Sequence, residues 1–469
     1  MKTFSASTIF GAFFIFSNPP PNSLLLQKIK LMRLNFFRNI DNAPLIVFRI
    51  FFGFLLAVEC FGSIATGWVR KVFVEPELHF QHIGFEWLIP LQGNGMYYYY
   101  ALMGIFGLLV MVGYKYRWGL LAFTLLWTGV YLMQKSAYNN HYYLLILVCL
   151  IMLFLPANRY FSVDAKQNPK IKSLLMPVWC SWVMIAQVAI VYFFATVAKF
   201  YPDWLDGTFT RNLFSGKSHY PVLGELFSKH WFHIFIAYMG IAFDGLVIPM
   251  LLWRRTRNLA LVGSLIFHLF NSIVLQIGIF PYFALSFAVF FYEPETIRKI
   301  FLRKKSASES DGNSYENSNF LRYFFLPFFV IQLILPIRHH FIKGDVFWTE
   351  EGHKMSWRMM LRSRNGFTSF VVEDKKTGER FRYNTFNKLK NKQIRLVNSQ
   401  PDAIWQMAQY IKKEYAEQGK DVAVYAESKV SINRHPYKKF IDETVDLASV
   451  KWEFFKHSEW IILYDDYRK

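Results

Sequence analysis

Residues 44–65 read PLIVFRIFFGFLLAVECFGSIA, an apolar run in which only Arg49 and Glu59 are charged. A helix that crosses a bilayer needs roughly 20 such residues, so this stretch reads as a span. Working outward, segments 96–113, 118–134, 141–157, 175–198, 230–252, 259–276, 278–292 and 322–337 repeat the pattern. They predict a polytopic α-helical membrane protein with about nine transmembrane helices. Segments 259–276 and 278–292 are separated only by Ile277 and read as one broken or re-entrant hairpin. Composition points the same way. The 469 residues are 53% hydrophobic and 19% aromatic, with 50 Phe, and only 18% are charged. Soluble domains carry about a quarter charged residues, so an ordinary soluble enzyme is excluded. Disordered, collagen-like and disulfide-scaffold classes fail on the same numbers. Cys60, Cys149 and Cys180 all lie in apolar stretches. They read as small buried hydrophobes, with no paired spacing for a metal site.

The net charge is +20, and its placement decides what it means. Lys28, Lys30, Arg33 and Arg38 precede the first span. Lys115 and Arg117, Arg159 with Lys166, Lys170 and Lys172, Arg254 with Arg255 and Arg257, and the 298–305 cluster fall in every second loop after it. The positive-inside rule then puts the N-terminus in the cytoplasm and the C-terminus outside. Charge spread over separate loops excludes a nucleic-acid footprint.

Three parts follow. Residues 1–39 form an N-terminal cytoplasmic segment; its run Ile9–Phe16 is too short to span, and Met32 is a plausible start. Residues 40–337 form the membrane domain. Residues 338–469 have soluble composition and read as an outward-facing α+β domain, preceded by a polar linker at 306–319. In that domain Phe367–Val372 and Arg380–Tyr383 flank a Lys375-Lys376-Thr377-Gly378 turn, a hairpin signal. Asp402 opens and Gly419 closes a helix, and Val422–Tyr425 and Val430–Ile432 read as two strands.

Ionisable groups inside spans are costly and usually functional. Here they are Arg49, Glu59, His141, Lys199, Asp244 and His268. Arg49 and Glu59 read as mutual partners holding the first span, and Asp244 reads as structural. Lys199 and His141 both fall at the outer face. Ser264, His268 and Asn271 share one helical face. Lys199 is either an interfacial snorkelling anchor or a desolvated base, because an apolar site favours the neutral amine. His268 is either a packing residue or part of the same pocket. A neutral histidine nearby can donate to developing oxyanion charge. Such a pocket suits a quinone arriving from the bilayer.

Several stretches together resemble the vitamin K-dependent γ-glutamyl carboxylase family, including its bacterial HTTM (horizontally transferred transmembrane) proteins. They are Phe48-Arg49-Ile50, Lys135-Ser-Ala-Tyr-Asn139-Asn140-His141-Tyr-Tyr-Leu144, Asn158-Arg-Tyr-Phe-Ser162-Val-Asp164, and Ile190-Val-Tyr-Phe-Phe-Ala195-Thr-Val-Ala-Lys199. Asp203-Trp204, Gly207, His268 with Asn271, Ile277-Gly278, Ser356-Trp-Arg-Met-Met360 and Val430-Ser-Ile-Asn433 complete the set.

The resemblance implies a γ-glutamyl carboxylase-like carbon–carbon lyase of the peptidyl-glutamate 4-carboxylase class. Such enzymes oxygenate vitamin K hydroquinone (here menaquinol-like) with O₂ to the epoxide and couple this to CO₂ addition at peptidyl glutamate. It further implies Lys199 as catalytic base and His141 as the group steadying anionic intermediates. Asn139, Asn140, His268 and Asn271 are the expected cofactor-binding residues, and no metal is expected. The implied partners are the lipid bilayer, a membrane quinone and a Glu-containing secreted protein or peptide, in a bacterial inner membrane. Ala198 replaces the second lysine of the animal enzymes, their linking disulfide has no counterpart, and their large extra C-terminal region is absent from this sequence. Quinol oxygenation without carboxylation, or with another acceptor, is therefore a rival reading, and a transporter with a buried charge relay is another.

Overall fold

The computed structural model describes residues 36–217, 219–220, 223–307, 318–385 and 387–469. The expected segment at Ile9–Phe16, the start at Met32 and most of the polar linker lie outside the described residues. Each of the nine apolar segments forms a helix. These are α1 (Ala43–Ala65), α2 (Gly95–Val112), α3 (Tyr116–Met133), α4 (Asn140–Phe154), α5 (Trp179–Val197), α6 (His230–Leu252), α7 (Arg257–Ile273), α8 (Phe280–Ser286) and α9 (Leu326–Ile337). Five are long and apolar enough to cross a membrane: α1, α2, α5, α6 and the Leu321–Phe341 helix that contains α9. Among the described residues, then, five helices meet this criterion, and the nine expected spans are not confirmed. α4 has 15 residues, and α8 with its 3₁₀ extension covers only Phe280–Phe290. The α7–α8 pair forms a helical hairpin whose connection takes left-handed backbone at Gln276 and Gly278.

Apolar side chains cannot drive helix association inside a lipid phase, so small residues bring backbones together. Gly107 of α2 faces α1 so closely that a Cβ there would lie 2.7 Å from the Ala57 backbone nitrogen. Gly53 of α1 makes the reciprocal approach to Met111. A short pair, β1 (Asn39–Asp41) with β2 (Leu175–Pro177), ties the start of α1 to the start of α5. Lys305 bonds Asp41 at 2.6 Å on the same side.

Arg49 and Glu59 are not partners, which corrects the sequence expectation. Ten residues along a helix is about 15 Å. Arg49 donates to the Phe161 carbonyl at 2.6 Å, and Glu59 accepts from the Tyr142 hydroxyl at 2.8 Å. Both still tie α1 to its surroundings, through different groups.

The C-terminal region is a sheet backed by a helix. β3 (Arg364–Asp374) pairs antiparallel with β4 (Arg380–Tyr383) through the expected turn. β5 (Val422–Ile432) pairs with β3 along its full length, from Arg364↔Ile432 to Asp374↔Val422, and β6 (Lys438–Lys439) completes the order β4-β3-β5-β6. Sequence reading split β5 in two at its polar middle. That middle stays extended because Ser428 bonds Thr368 across the strands at 2.9 Å. The helix α10 (Pro401–Ala416) buries Ile404, Met407 and Ile411 against the sheet.

This region docks on the helices through a dense polar seam. Lys135 reaches Asp402 at the start of α10 at 2.7 Å, and Lys354 reaches the same oxygen at 2.5 Å. Gln393 donates to the Leu78 carbonyl at 2.5 Å, and Gln406 to the Gln81 carbonyl at 3.0 Å. Met355 donates its backbone N–H to the Tyr138 hydroxyl at 2.8 Å.

Candidate active site

The last turn of α5 delivers Lys199. Its ammonium pairs with Asp244 of α6 and donates to the Ala195 carbonyl at 3.1 Å. Nζ also lies 5.2 Å from the centre of the Trp204 ring, within cation–π range. Lys199 is 7% exposed and Asp244 8%, so the lysine is not a solvated anchor. Nor is it a lone desolvated amine, because it carries a counter-ion. Gly240 makes room for the pair: a Cβ there would meet Trp204 at 3.2 Å and the Lys199 stem at 3.9 Å. Trp204 is held by its indole N–H on the Ala237 carbonyl at 2.8 Å.

The chain just past Lys199 is clamped by the C-terminal region. Tyr201 donates to the Leu361 carbonyl. Asp203 accepts from Asn433 at 2.8 Å and bonds His435 at 2.9 Å. The end of β5 therefore fixes the loop that follows the lysine.

From Lys199 a path of aromatic and polar groups crosses the bundle. Phe243, beside Asp244, makes an edge contact with Tyr192 at 6.0 Å and stacks on Phe267 at 3.9 Å. The Tyr192 hydroxyl bonds His268 Nε2 at 3.1 Å. His268 is buried, and its Nδ1 has no partner. Phe280 lies 6.2 Å from His268 on one side and stacks on His141 at 3.6 Å on the other. Lys199 and His141 thus share no hydrogen bond; they stand at opposite ends of this path of packed rings. Ser264 bonds Ala260 within its own helix at 2.8 Å.

The asparagines play a supporting part. Asn139 Oδ1 accepts the His141 N–H at 2.6 Å and the Tyr142 N–H at 3.3 Å, capping α4. Asn140 accepts from the Tyr138 hydroxyl at 2.8 Å. Both side chains are engaged inside the protein, and the Asn139 cap fixes the backbone at His141. Asn271 is half-buried, and its carbonyl accepts the Ile277 N–H at 3.4 Å.

Sequence reading missed three contributors. Asp244 was taken as structural, yet it is the partner of Lys199. Tyr192 passed as part of an apolar run, although its spacing of seven from Lys199 puts both on one face of α5. Phe280 carried no signal beyond its type.

Apolar helices around a buried ion pair, five of the described ones long enough to cross a bilayer, with a strand-bearing region sealed onto the bundle, are the build of an integral membrane protein. The chain belongs to the vitamin K-dependent γ-carboxylase family: residues 37–295 match the HTTM domain, and residues 317–466 match the vitamin K-dependent gamma-carboxylase, lumenal domain. No solved structure matches it. The family implies an enzyme of carboxylase type and a vitamin K cofactor. The residues present fit a reduced quinone. The Phe243, Phe267 and Phe280 rings offer apolar faces. The unpartnered His268 Nδ1 and the Lys199 headgroup are polar partners available to ring oxygens.

Proposed function

We propose that this protein is a reduced-vitamin-K-dependent γ-glutamyl carboxylase-like enzyme of a bacterial inner membrane. Its C-terminal domain faces outward, Lys199 is the catalytic base, and the acceptor is a Glu-containing secreted protein or peptide. The observation that carries this reading is the buried Lys199–Asp244 pair at the end of a membrane helix, in a chain matching both family domains. When bound, reduced vitamin K with O₂ supplies the strong base that a weakly acidic glutamyl γ-proton requires, and CO₂ then adds to that carbon.

The chain's own work is narrower. Moving the pair's proton from Nζ to Oδ2 leaves an amine and a carboxylic acid, with no net charge created in a low dielectric. The neutral Nζ can then accept a proton from a hydroxyl placed beside it; the ammonium that forms balances the negative charge left on that oxygen, while Asp244 holds the first proton. With the Tyr192 hydroxyl donating to Nε2, His268 carries its proton on Nδ1 and aims a donor into the cleft. His141, oriented by the Asn139 cap, supplies a second imidazole at the far end. Phe243 and Phe280 exclude water between them, which strengthens each of these interactions.

The test is quinol-dependent CO₂ incorporation into a Glu-containing peptide by purified protein in nanodiscs. Lys199→Ala should lower it by about 10²–10⁴-fold, the range for loss of a general base, measured on the fraction that a melting profile shows to be folded. Full activity in Lys199→Ala removes the base. Incorporation that does not need quinol removes the reaction.

A further inference from the structure

Where the last span meets the C-terminal region there is a cavity of about 400 Å³. Arg358 and Arg468 enter it from the C-terminal side, His339 and His340 from the end of the span, and Tyr201 from the loop after Lys199. Asp345 is the acidic residue of the lining, and its Oδ1 is already committed to the Phe347 N–H at 2.8 Å.

Arg358 is the anomaly. It is 8% exposed, and no ion pair forms on it among the described residues. The two acids nearest in sequence are both committed elsewhere: Glu351 to His457 and the Ser458 N–H, and Glu350 to Arg362 and Arg364. The Arg358 guanidinium lies 4.2 Å over the Phe347 ring and meets His339 Nε2 at 3.5 Å, and its Nε is buried without a partner. His339 Nδ1 is buried and unpartnered too. Burial pushes the Arg358 guanidinium down to about 10, and Arg362 adds to that. A buried cation with open donors is unfavourable until an anion joins it. Tetrahedral oxyanions satisfy guanidinium in two places at once. The volume exceeds what a small carboxylate fills. The exposed side chains Ile334, Ile337 and Phe341 of the adjoining span run toward the same end of the helix, so acyl chains have a surface leading away from the cavity.

We propose that this junction cavity is a phosphate-binding site with Arg358 as its principal ligand, filled by a phospholipid headgroup from the adjacent leaflet or by free phosphate. The site is independent of the quinol chemistry. Its test uses the whole protein in phosphatidylcholine nanodiscs, with and without phosphatidylglycerol. Native mass spectrometry counts the retained anionic lipid, and thermal unfolding is followed with added inorganic phosphate.

Wild type should retain phosphatidylglycerol, or be stabilised by phosphate, in an Arg358-dependent way. Arg358→Gln should weaken that binding by about tenfold or more, as loss of a charge-assisted contact implies. Lipid retention without a phosphate response assigns the headgroup; a phosphate response without lipid preference assigns the free anion. Arg468→Gln, at the more open edge, must weaken the same binding in a folded protein. If Arg358→Gln and Arg468→Gln both bind as wild type, the site does not exist. If Arg358→Gln fails to fold and Arg468→Gln binds normally, the proposal is also overturned.

Discussion

Two buried lysine–aspartate contacts in this chain are built to opposite ends. At the seam, Asp402 lies between two ammoniums, Lys135 and Lys354. At the end of α5, Lys199 meets a single carboxylate, Asp244, and spends its remaining contacts on a carbonyl and an indole face. Burial alone would push Asp402 up, but Lys135 and then Lys354 outweigh it and hold the carboxyl below the usual carboxylate range. A carboxylate between two cations stays an anion and serves as a clamp. A one-to-one pair becomes neutral when its single proton crosses, so it can take part in proton transfer. Stoichiometry, more than burial, separates the clamp at Asp402 from the pair proposed to react at Lys199.

The sharpest way to break this contrast is to remove each lysine in turn. Lys199→Ala should cost about 10²–10⁴ in turnover, while Lys135→Ala, measured in the same assay, should leave most activity in whatever protein folds. Reversal of that order would unseat the distinction. Next in size is Asp402→Asn, which strands the buried Lys135 ammonium and the half-buried Lys354. It should destabilise the protein by about 3–5 kcal/mol, read from denaturant or thermal melts in a fixed detergent.

The acid limb sharpens the same point. The folded carboxyl of Asp402 lies below its unfolded value, so its contribution is present above about pH 4 and is lost as pH falls through the folded value. Stability measured from pH 6 downward should fall in that window, and Asp402→Asn should remove that part of the slope. The smallest effect is expected at Glu59. Its hydrogen bond is to the neutral Tyr142 hydroxyl, so Glu59→Gln should change stability by about 1 kcal/mol or less. A loss of several kcal/mol would mean that a cation is paired there after all.

The helices were legible because membrane depth demands long apolar runs, and residues 44–65 and 230–252 carry that signal without interruption. Helix length was less legible, because an apolar run reports hydrophobicity but not where the helix stops: α4 and α8 are apolar yet short. Lys199 was visible as a lysine at the end of an apolar run. Its partner was not, because Asp244 lies 45 residues away and only the packing of α6 on α5 joins them. Arg49 and Glu59 were paired on charge alone, and helix rise forbids that contact. In the C-terminal region, alternation and a turn signal gave the β3–β4 hairpin. The unity of β5 was hidden because Ala426-Glu427-Ser428-Lys429 looks like a turn until β3 lies beside it. The pattern near His141 marks the asparagines as polar groups at a helix start but not their bonds: Asn139 Oδ1 caps α4 and Asn140 Oδ1 accepts from Tyr138.

The most direct test of the central claim is an experimental structure of the protein in nanodiscs with reduced vitamin K bound. The account predicts the quinol ring in the aromatic cleft beside Phe243, with an oxygen within hydrogen-bond reach of Lys199 Nζ and the Asp244 contact intact. A ring bound elsewhere, or Lys199 turned into bulk water away from Asp244, would contradict it.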